Sequence, residues 1–542
     1  MNNQINFLKV LKDEFGFDLT ETENGAATYK TAGSKLIDLF FKIGALRPCL
    51  KEENGNERLS EIIVDAFEEN EDVTLKILLY GRDILNGAGE RDVPRYMTSM
   101  LISHVNSKIT KDNIEEYESK FSSLFRGFKE IGRWDDLIKI WYMLSTLDKS
   151  SFISYLMNEI ILLIQTQLAI DMSKYHMGNP VSLLSKWMPS ENASSKETKK
   201  IARLLRQNLK FGEENKTLTS EEYRKMLSTL RKYIKIVENN LRTKDYTFDY
   251  SKLPSKAMAK YSKAFNRNDK ERFEEYINAL AKGKTTINTK TLTPANICHN
   301  ISRCNKAEEQ LIDSQWKNML NEFEELKDIN AIVAADVSSS MLSSHGEAPI
   351  NVSVGLALFF AYKATGPFAN HFIDFCGDSR IHQINPNKSI IENYDKVLES
   401  SRDMNTNIDS VFQTLLNAAR KYKVEQKDLP KYVIIVSDME FDSCCSYSCA
   451  AGRRESVNFN HWNQMFSEHG YTLPTLIFWN AESRNDISPA TSNDNVVLLS
   501  GRSSNGFKML NILEKYNITN QSDLAFLAML KTIERYNIYF EE

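Results

Sequence analysis

INAIVAADVSSSM, residues 329–341, runs a short β-branched apolar stretch directly into one carboxylate and a row of hydroxyls. A strand covered on both faces reads as a continuous apolar run, and the stretch up to Ala335 has that character. The preceding QWKNMLNEFEELKD, residues 315–328, is instead periodic like an amphipathic helix. The change of pattern at Ile329 predicts a domain boundary, with an α-helical domain over 1–328 and an α/β domain over 329–542. A chain of 542 residues exceeds what one hydrophobic core usually covers, which points the same way.

Beyond the boundary, short strands alternate with helices. NHFIDFC, KYVIIVSDM, YTLPTLIFWN and NVVLLS read as strands, while VSVGLALFFAYKA and NIDSVFQTLLNAARKYKV read as helices. That order predicts a doubly wound, mostly parallel sheet with helices on both faces. Gln521, Ser522 and Asp523 offer N-cap chemistry for a closing helix from Ser522 to Tyr539. Before the boundary, SKLIDLFFKIGAL, LSEIIVDAFEEN, VTLKILLYGRDIL and IKIWYMLSTL have helical spacing, which predicts an array of helix pairs of the solenoid kind. No strict repeat period accompanies it.

Hydrophobic content of 42%, charged content of 26% and a mean hydropathy of −0.41 fit a globular chain rather than a disordered one. No apolar stretch of about 18 residues stands out, and the charged N-terminus lacks a signal core, so a cytoplasmic or nuclear, membrane-free protein is expected. The seven cysteines are scattered apart from Cys444, Cys445 and Cys449, and His461 alone cannot complete a zinc site with them; free thiols are expected. The net charge of −4 is uneven: residues 196–290 hold 24 Lys and Arg against 12 Asp and Glu, whereas the segment after 328 is acidic.

The hydroxyls at the strand end suggest ligation. Asp336, Ser338 and Ser340 alternate, so an extended loop aims all three oxygens at one point. Thr406 lies in a polar loop entering a helix 70 residues on, and Asp438 ends another apolar strand 102 residues on. Such hard oxygen donors suit Mg²⁺, or another divalent cation such as Mn²⁺ or Ca²⁺. The competing reading has Asp336 capping a turn while the serines satisfy backbone groups.

Asp-x-Ser-x-Ser, then Thr, then a strand-end Asp resembles the metal-ion-dependent adhesion site of von Willebrand factor A domains. The resemblance implies direct ligation by Ser338 and Ser340, with Asp336, Thr406 and Asp438 binding directly or through water. It also implies an open coordination position for a partner protein's carboxylate. Met439 stands where glycine is common, and Glu440 and Asp442 add acids that would ligate the ion internally instead.

The N-terminal half carries YGRDILNGAGERDV, IGRWDDLI, SLLSKWMPS and KLPSKAMAKYSKAFNRND in an order that resembles an uncharacterised family, known from eukaryotes and large DNA viruses, with a helical module ahead of an A domain. That architecture is similar to the Ro ribonucleoproteins, whose TROVE module is a ring of HEAT-like repeats binding structured or misfolded RNA. RNA binding is therefore an expectation. Its candidate contacts are Lys199, Lys200, Arg203 and Arg206 on one helical face and Lys256, Lys260, Lys263 and Arg267 on another. Tyr223, Tyr233, Tyr246, Tyr261 and Phe265 are interleaved as candidate stacking platforms. The alternative is a protein-interaction or virion-associated assembly role acting through the ion.

Catalysis finds no positive signal in the residues. Ser338 replaces the second acid of a phosphoaspartyl motif, no GxSxG elbow occurs, and Gly283-Lys284-Thr285 lacks the first glycine of a P-loop. Asn86-Gly87-Ala88-Gly89-Glu90-Arg91 carries two glycines of a phosphate-binding fingerprint but follows a helical run, so an interhelical turn is expected. Arg133-Trp134-Asp135-Asp136, Arg82-Asp83 and Arg91-Asp92 read as ties between helix ends, with Trp134 a core anchor.

Overall fold

The computed structural model describes residues 19–211, 216–234, 236–304, 308–323, 330–342, 348–400, 406–442, 459–491, 494–515 and 523–541. The chain forms two compact units. The first joins the residues up to Glu90 with Tyr250–Arg535; the second joins Arg91–Asp249 with the residues from Tyr536 onward. The junction between helical and strand patterns at 328/329 thus falls inside the first unit.

Apolar runs build the sheet of the first unit. Its strands are β1 (Ala331–Ala335), β2 (His371–Asp374), β3 (Ile381–Gln383), β4 (Tyr432–Ser437), β5 (Thr475–Asn480) and β6 (Val496–Ser500). They lie in the order β6-β5-β4-β1-β2-β3. All neighbours pair in parallel except β3, which runs antiparallel to β2. Every residue of β1, β4, β5 and β6 is buried, which explains why these strands were readable as runs. β3 has three residues, none buried, and no apolar run announces it.

The Pro349–Lys363 helix packs on β1 and on the Pro294–Ile301 helix. At that crossing a Cβ on Gly355 would come within 2.8 Å of the Pro294 backbone, so only glycine allows this approach. The Lys35–Lys42 helix packs on β6, and there Gly44 meets Gly501, whose φ is +106°. An N-terminal hairpin, Leu19–Glu21 with Ala27–Tyr29, reaches the loops after β4 and β5 through bridges from Gly25 to Asp442 and from Tyr29 to Ser488. Helices from both ends of the 1–328 region therefore share the core of the sheet.

Among its described residues the second unit is built of helices and one pair of two-residue strands, Lys210–Phe211 with Lys216–Thr217. The Trp134–Leu144 helix packs on the Asp92–Asn106 and Ser151–His176 helices. Buried Arg95 ties the first two together, donating to Asp136 at 2.5 Å, to Asp135 at 2.6 Å and to Asp92 at 2.8 Å. The expected tie is present, but Arg95 rather than Arg133 supplies the main cation. Trp134 is only half-buried, and Trp141 is the tryptophan in the core. A tryptophan at the first helical position sits beside solvent, whereas one two turns later faces the neighbouring helices.

Two further expectations change. The Ser151–His176 helix is long and apolar enough, by length and composition, to cross a membrane, with 33% of its apolar window buried. Its interspersed Ser, Asn and Gln make the stretch unobtrusive in sequence. At the C-terminus, the helix spans Leu524–Ile533 and continues as a 3₁₀ turn over Glu534–Tyr539. Asp523 makes no side-chain cap there, its backbone being left-handed at φ +68°; Gln521 and Ser522 lie outside the described residues.

Candidate functional site at the carboxyl ends of the sheet

β1 and β4 are parallel neighbours in register from Ala331–Tyr432 to Ala335–Val436, so their carboxyl ends emerge side by side. The chain leaves β1 for β2 on one side and later returns to β4 on the other. The connections diverge there, at the usual ligand position in such sheets. Asp336 and Asp438 directly follow these two strand ends.

Asp336 is fully buried. One of its oxygens accepts the Ser338 backbone N–H at 2.9 Å, and the other accepts the Ser437 hydroxyl at 2.7 Å. Ser437 also lies 3.5 Å from Asp438 Oδ1, between the two carboxylates. Burial, reinforced by the charge of Asp438, pushes the Asp336 carboxyl up to about 6. The half-buried Ser338 and Ser340 hydroxyls lie 3.0 Å apart, extending the chain of oxygens outward. Asp336, Ser338, Ser340 and Asp438 are thus brought together.

Thr406 is buried beside the loop that follows β4. Its N–H donates to Asp442, and its hydroxyl lies 3.3 Å from both the Glu440 carbonyl and Asp442 Oδ2. Asp442 therefore holds Thr406 rather than adding a ligand to the Asp336 group. Met439 adopts φ +67°, a conformation that costs a non-glycine residue about 1–2 kcal/mol, while its N–H donates to Ser437 Oγ at 3.1 Å. The methionine found in place of glycine therefore still makes the glycine-type turn.

Sequence reasoning missed the cation already present. Arg484, four residues past the end of β5, donates to Asp438 Oδ2 at 2.9 Å and to Glu23 Oε2 at 3.0 Å. Buried Glu440 accepts the Glu23 N–H at 2.7 Å and the Asn485 amide at 2.9 Å. Burial raises the Glu440 carboxyl, with the charges of Glu23 and Asp438 adding to it. Thr22 Oγ1 donates to the Phe441 carbonyl at 2.6 Å and Asn24 to the Glu440 carbonyl at 2.7 Å, so the N-terminal hairpin fastens the loop that follows β4. The one available signal for Arg484 is its position just beyond a neighbouring strand's carboxyl end.

The donor set is all oxygen, two carboxylates with hydroxyls, as a hard cation requires. Asp438 keeps Oδ1 toward Ser437 while Arg484 holds Oδ2, so the guanidinium and an ion would share this acid. Among the described residues, no group of three or more His, Cys, Asp or Glu lies close enough to hold a metal. Cys49, Cys298, Cys304 and Cys376 are free thiols; Cys444, Cys445 and Cys449 lie outside the described residues.

The basic candidates fall in different units and are described separately. In the second unit, on the Lys196–Asn208 helix, Lys200 and Arg203 are exposed and Lys199 is half-buried. Arg206 is engaged with Glu191 and the Leu218 carbonyl, both at 2.8 Å. In the first unit, Lys256, Lys260, Lys263 and Arg267 are all exposed on the Ser255–Asn268 helix. Tyr223 and Phe265 are core residues, unavailable for stacking, because their positions face the apolar side of each helix. Tyr233, Tyr246 and Tyr261 are half-buried.

Residues 22–151 and 141–329 match a family model described as a domain of unknown function (DUF2828), and together they span more than half of the chain. The chain belongs to the DUF2828 family. Residues 330–532 match a second model, a domain of unknown function (DUF7788), so the two matched regions meet where the helical pattern gives way to strands. This DUF2828 chain is also 29% identical over 531 residues to "Uncharacterized protein L728" of Acanthamoeba polyphaga mimivirus, covering 92% of this chain and 86% of that protein.

Proposed function

We propose that this DUF2828 protein is a non-enzymatic RNA-binding scaffold, with a divalent-ion site that secures the loops at the carboxyl end of its sheet. The observation that carries the RNA reading is the exposed row Lys256, Lys260, Lys263 and Arg267 on one helix, within a segment holding twice as many cations as acids. Phosphates are bound by such rows through counterion release, whatever the base sequence. Lys200 and Arg203 of the second unit are further candidates; Arg206 is committed to Glu191. On this reading the helical regions correspond to TROVE-like, HEAT-type repeats. The sheet corresponds to a von Willebrand A domain, which the reversal of strand order at β1 and the antiparallel edge strand support.

Asp336, Ser338 and Ser340 would hold Mg²⁺ or a similar ion, with Asp438 and Thr406 contributing directly or through water. The ion would supply positive charge between two buried carboxylates. Internal groups already crowd this edge, with Glu440 beside Asp438 and the Glu23 hairpin over the loop, which favours a structural ion over capture of a partner's carboxylate. A virus-encoded relative spanning most of the chain motivates the second reading, a virion-associated assembly role; otherwise a cytoplasmic location is proposed.

Filter binding of a structured RNA between about 50 and 200 mM salt tests the main reading. Affinity should fall steeply, by an order of magnitude or more for several phosphate contacts. Combined Lys260→Glu, Lys263→Glu and Arg267→Glu substitution should abolish it. Binding that is absent, or flat across this range, overturns the RNA assignment. If EDTA instead removes a co-purifying protein partner while RNA binding is absent, the assembly reading replaces it.

A further inference from the structure

In the second unit, the Ser220–Tyr233 and Val237–Thr243 helices and the chain around Asn192 line an open cavity of about 640 Å³, within the size range of small-molecule sites. Five cations line it: Arg224, Lys225, Arg231, Lys232 and Arg242. The first four form two adjacent pairs seven residues apart, so they project from one side of their helix. Glu221 is the one acid among the described lining residues, and Lys225 takes it at 2.7 Å. Glu238, one turn before Arg242, pairs with Lys186 at 3.3 Å instead. Among the described residues no acid pairs with Arg224, Arg231, Lys232 or Arg242; Arg224 donates to the Ser220 carbonyl. Four positive charges therefore face one cavity without a counter-charge.

Arg231 is built into this wall. Its Nε donates to the Ser185 carbonyl at 2.8 Å and its Nη2 to the Met188 carbonyl at 2.6 Å, so the guanidinium is half-buried and fixed in direction. Burial holds its pKa below the ordinary arginine value, because no carboxylate offsets the loss of water. The two carbonyls satisfy hydrogen bonds but leave the full charge in place. Nη1 makes no bond among the described residues. A guanidinium held rigidly with one edge open suits paired bonds to phosphate oxygens. The neutral lining is polar, with the amide of Asn192 and the hydroxyls of Ser190 and Ser228. Tyr223 and Leu227 are buried beneath it, so no exposed ring offers a platform for a base.

We propose that this cavity binds a compact anion bearing two or three clustered phosphate groups, either a phosphorylated polyol or inorganic polyphosphate. One phosphate carries at most about −2 and would offset only half of the charge of Arg224, Arg231, Lys232 and Arg242. Clustered phosphates offset all of it. An RNA strand spreads single charges along its length, whereas these four cations surround one cavity and meet dense charge. The inference stands apart from the RNA reading, because none of the cavity's cations belongs to either row of proposed RNA contacts.

The test is calorimetric titration of the full chain with inorganic tripolyphosphate, an inositol trisphosphate and inorganic phosphate at low and moderate salt. The first two should bind, weakening as salt screens the cations, and inorganic phosphate should bind far more weakly. Tighter binding of the inositol trisphosphate identifies a phosphorylated-polyol site; equal or tighter binding of tripolyphosphate identifies an inorganic polyphosphate site. Lys232→Gln and Arg242→Gln, both at exposed positions, should each weaken binding by about tenfold with an unchanged melting temperature. The combined Lys260→Glu, Lys263→Glu and Arg267→Glu substitution should leave it unchanged, whatever it does to RNA. The proposal is overturned if neither clustered phosphate saturates by about 1 mM, if inorganic phosphate binds as tightly, if Lys232→Gln and Arg242→Gln both bind like the parent, or if the triple substitution removes the binding.

Discussion

At the scale of single residues, the decisive arrangement is the pair of buried acids at the ends of β1 and β4, with the Ser437 hydroxyl between them. The folded Asp336 carboxyl holds its proton to about 6 against an ordinary value of 3.8. In EDTA its contribution to stability is therefore present below pH 3.8, is lost as pH rises toward 6, and stays lost above, a difference of about 3 kcal/mol. Asp336→Asn should accordingly raise the melting temperature of the metal-free protein at pH 7.5 and remove any stabilisation by Mg²⁺. In the parent, Mg²⁺ should stabilise more at pH 7.5 than at pH 5.5, because protons compete for the same carboxylate; thermal melts at the two pH values measure both effects. Arg484→Gln leaves Asp438 without its guanidinium and should cost about 2 kcal/mol, discounted because Arg484 is 28% exposed. Recovery of that loss on adding Mg²⁺ would show that an ion takes over the charge of Arg484. The acids and serines were legible because they sit at the ends of apolar runs. Arg484 was not, because 46 residues separate it from Asp438 and only strand order brings them together.

At the scale of elements, the long strands and helices follow from their patterns, and the exceptions have local causes. β3 is too short and too exposed to leave a pattern. The N-terminal hairpin gains its place from bonds to loops more than 400 residues away, such as Thr22 to Phe441. The close approach of the Lys35–Lys42 segment to β6 depends on glycine on both sides, since a Cβ on Gly44 would lie 2.7 Å from the Gly501 Cα. Backbone cannot yield there as a flexible side chain would. Gly44→Ala should therefore cost about 1–3 kcal/mol or more, read from a urea midpoint that falls while the slope is unchanged.

At the scale of the whole molecule, compact units and sequence pattern divide the chain differently. Residues 19–90 and the helices after Tyr250 contribute to the core around the sheet, through Gly44 on Gly501, Ser483 N–H on the Ala45 carbonyl and Pro294 on Gly355. A fragment beginning at residue 329 should then keep helical far-UV dichroism but lose near-UV signal and bind a hydrophobic dye; a sharp, native-like melt from that fragment would refute the shared core. The sequence by itself determined the helical character of the first half, the parallel strands of the second and the acids and hydroxyls at the strand ends, because periodicity and apolar runs are local properties. Only the tertiary structure decided that Arg484 and the Glu23 hairpin close around those acids, that Tyr223 and Phe265 are core, and that five cations from two helices line one cavity. Those features are set by which surfaces meet, and the spacing of residues along a chain carries no record of that.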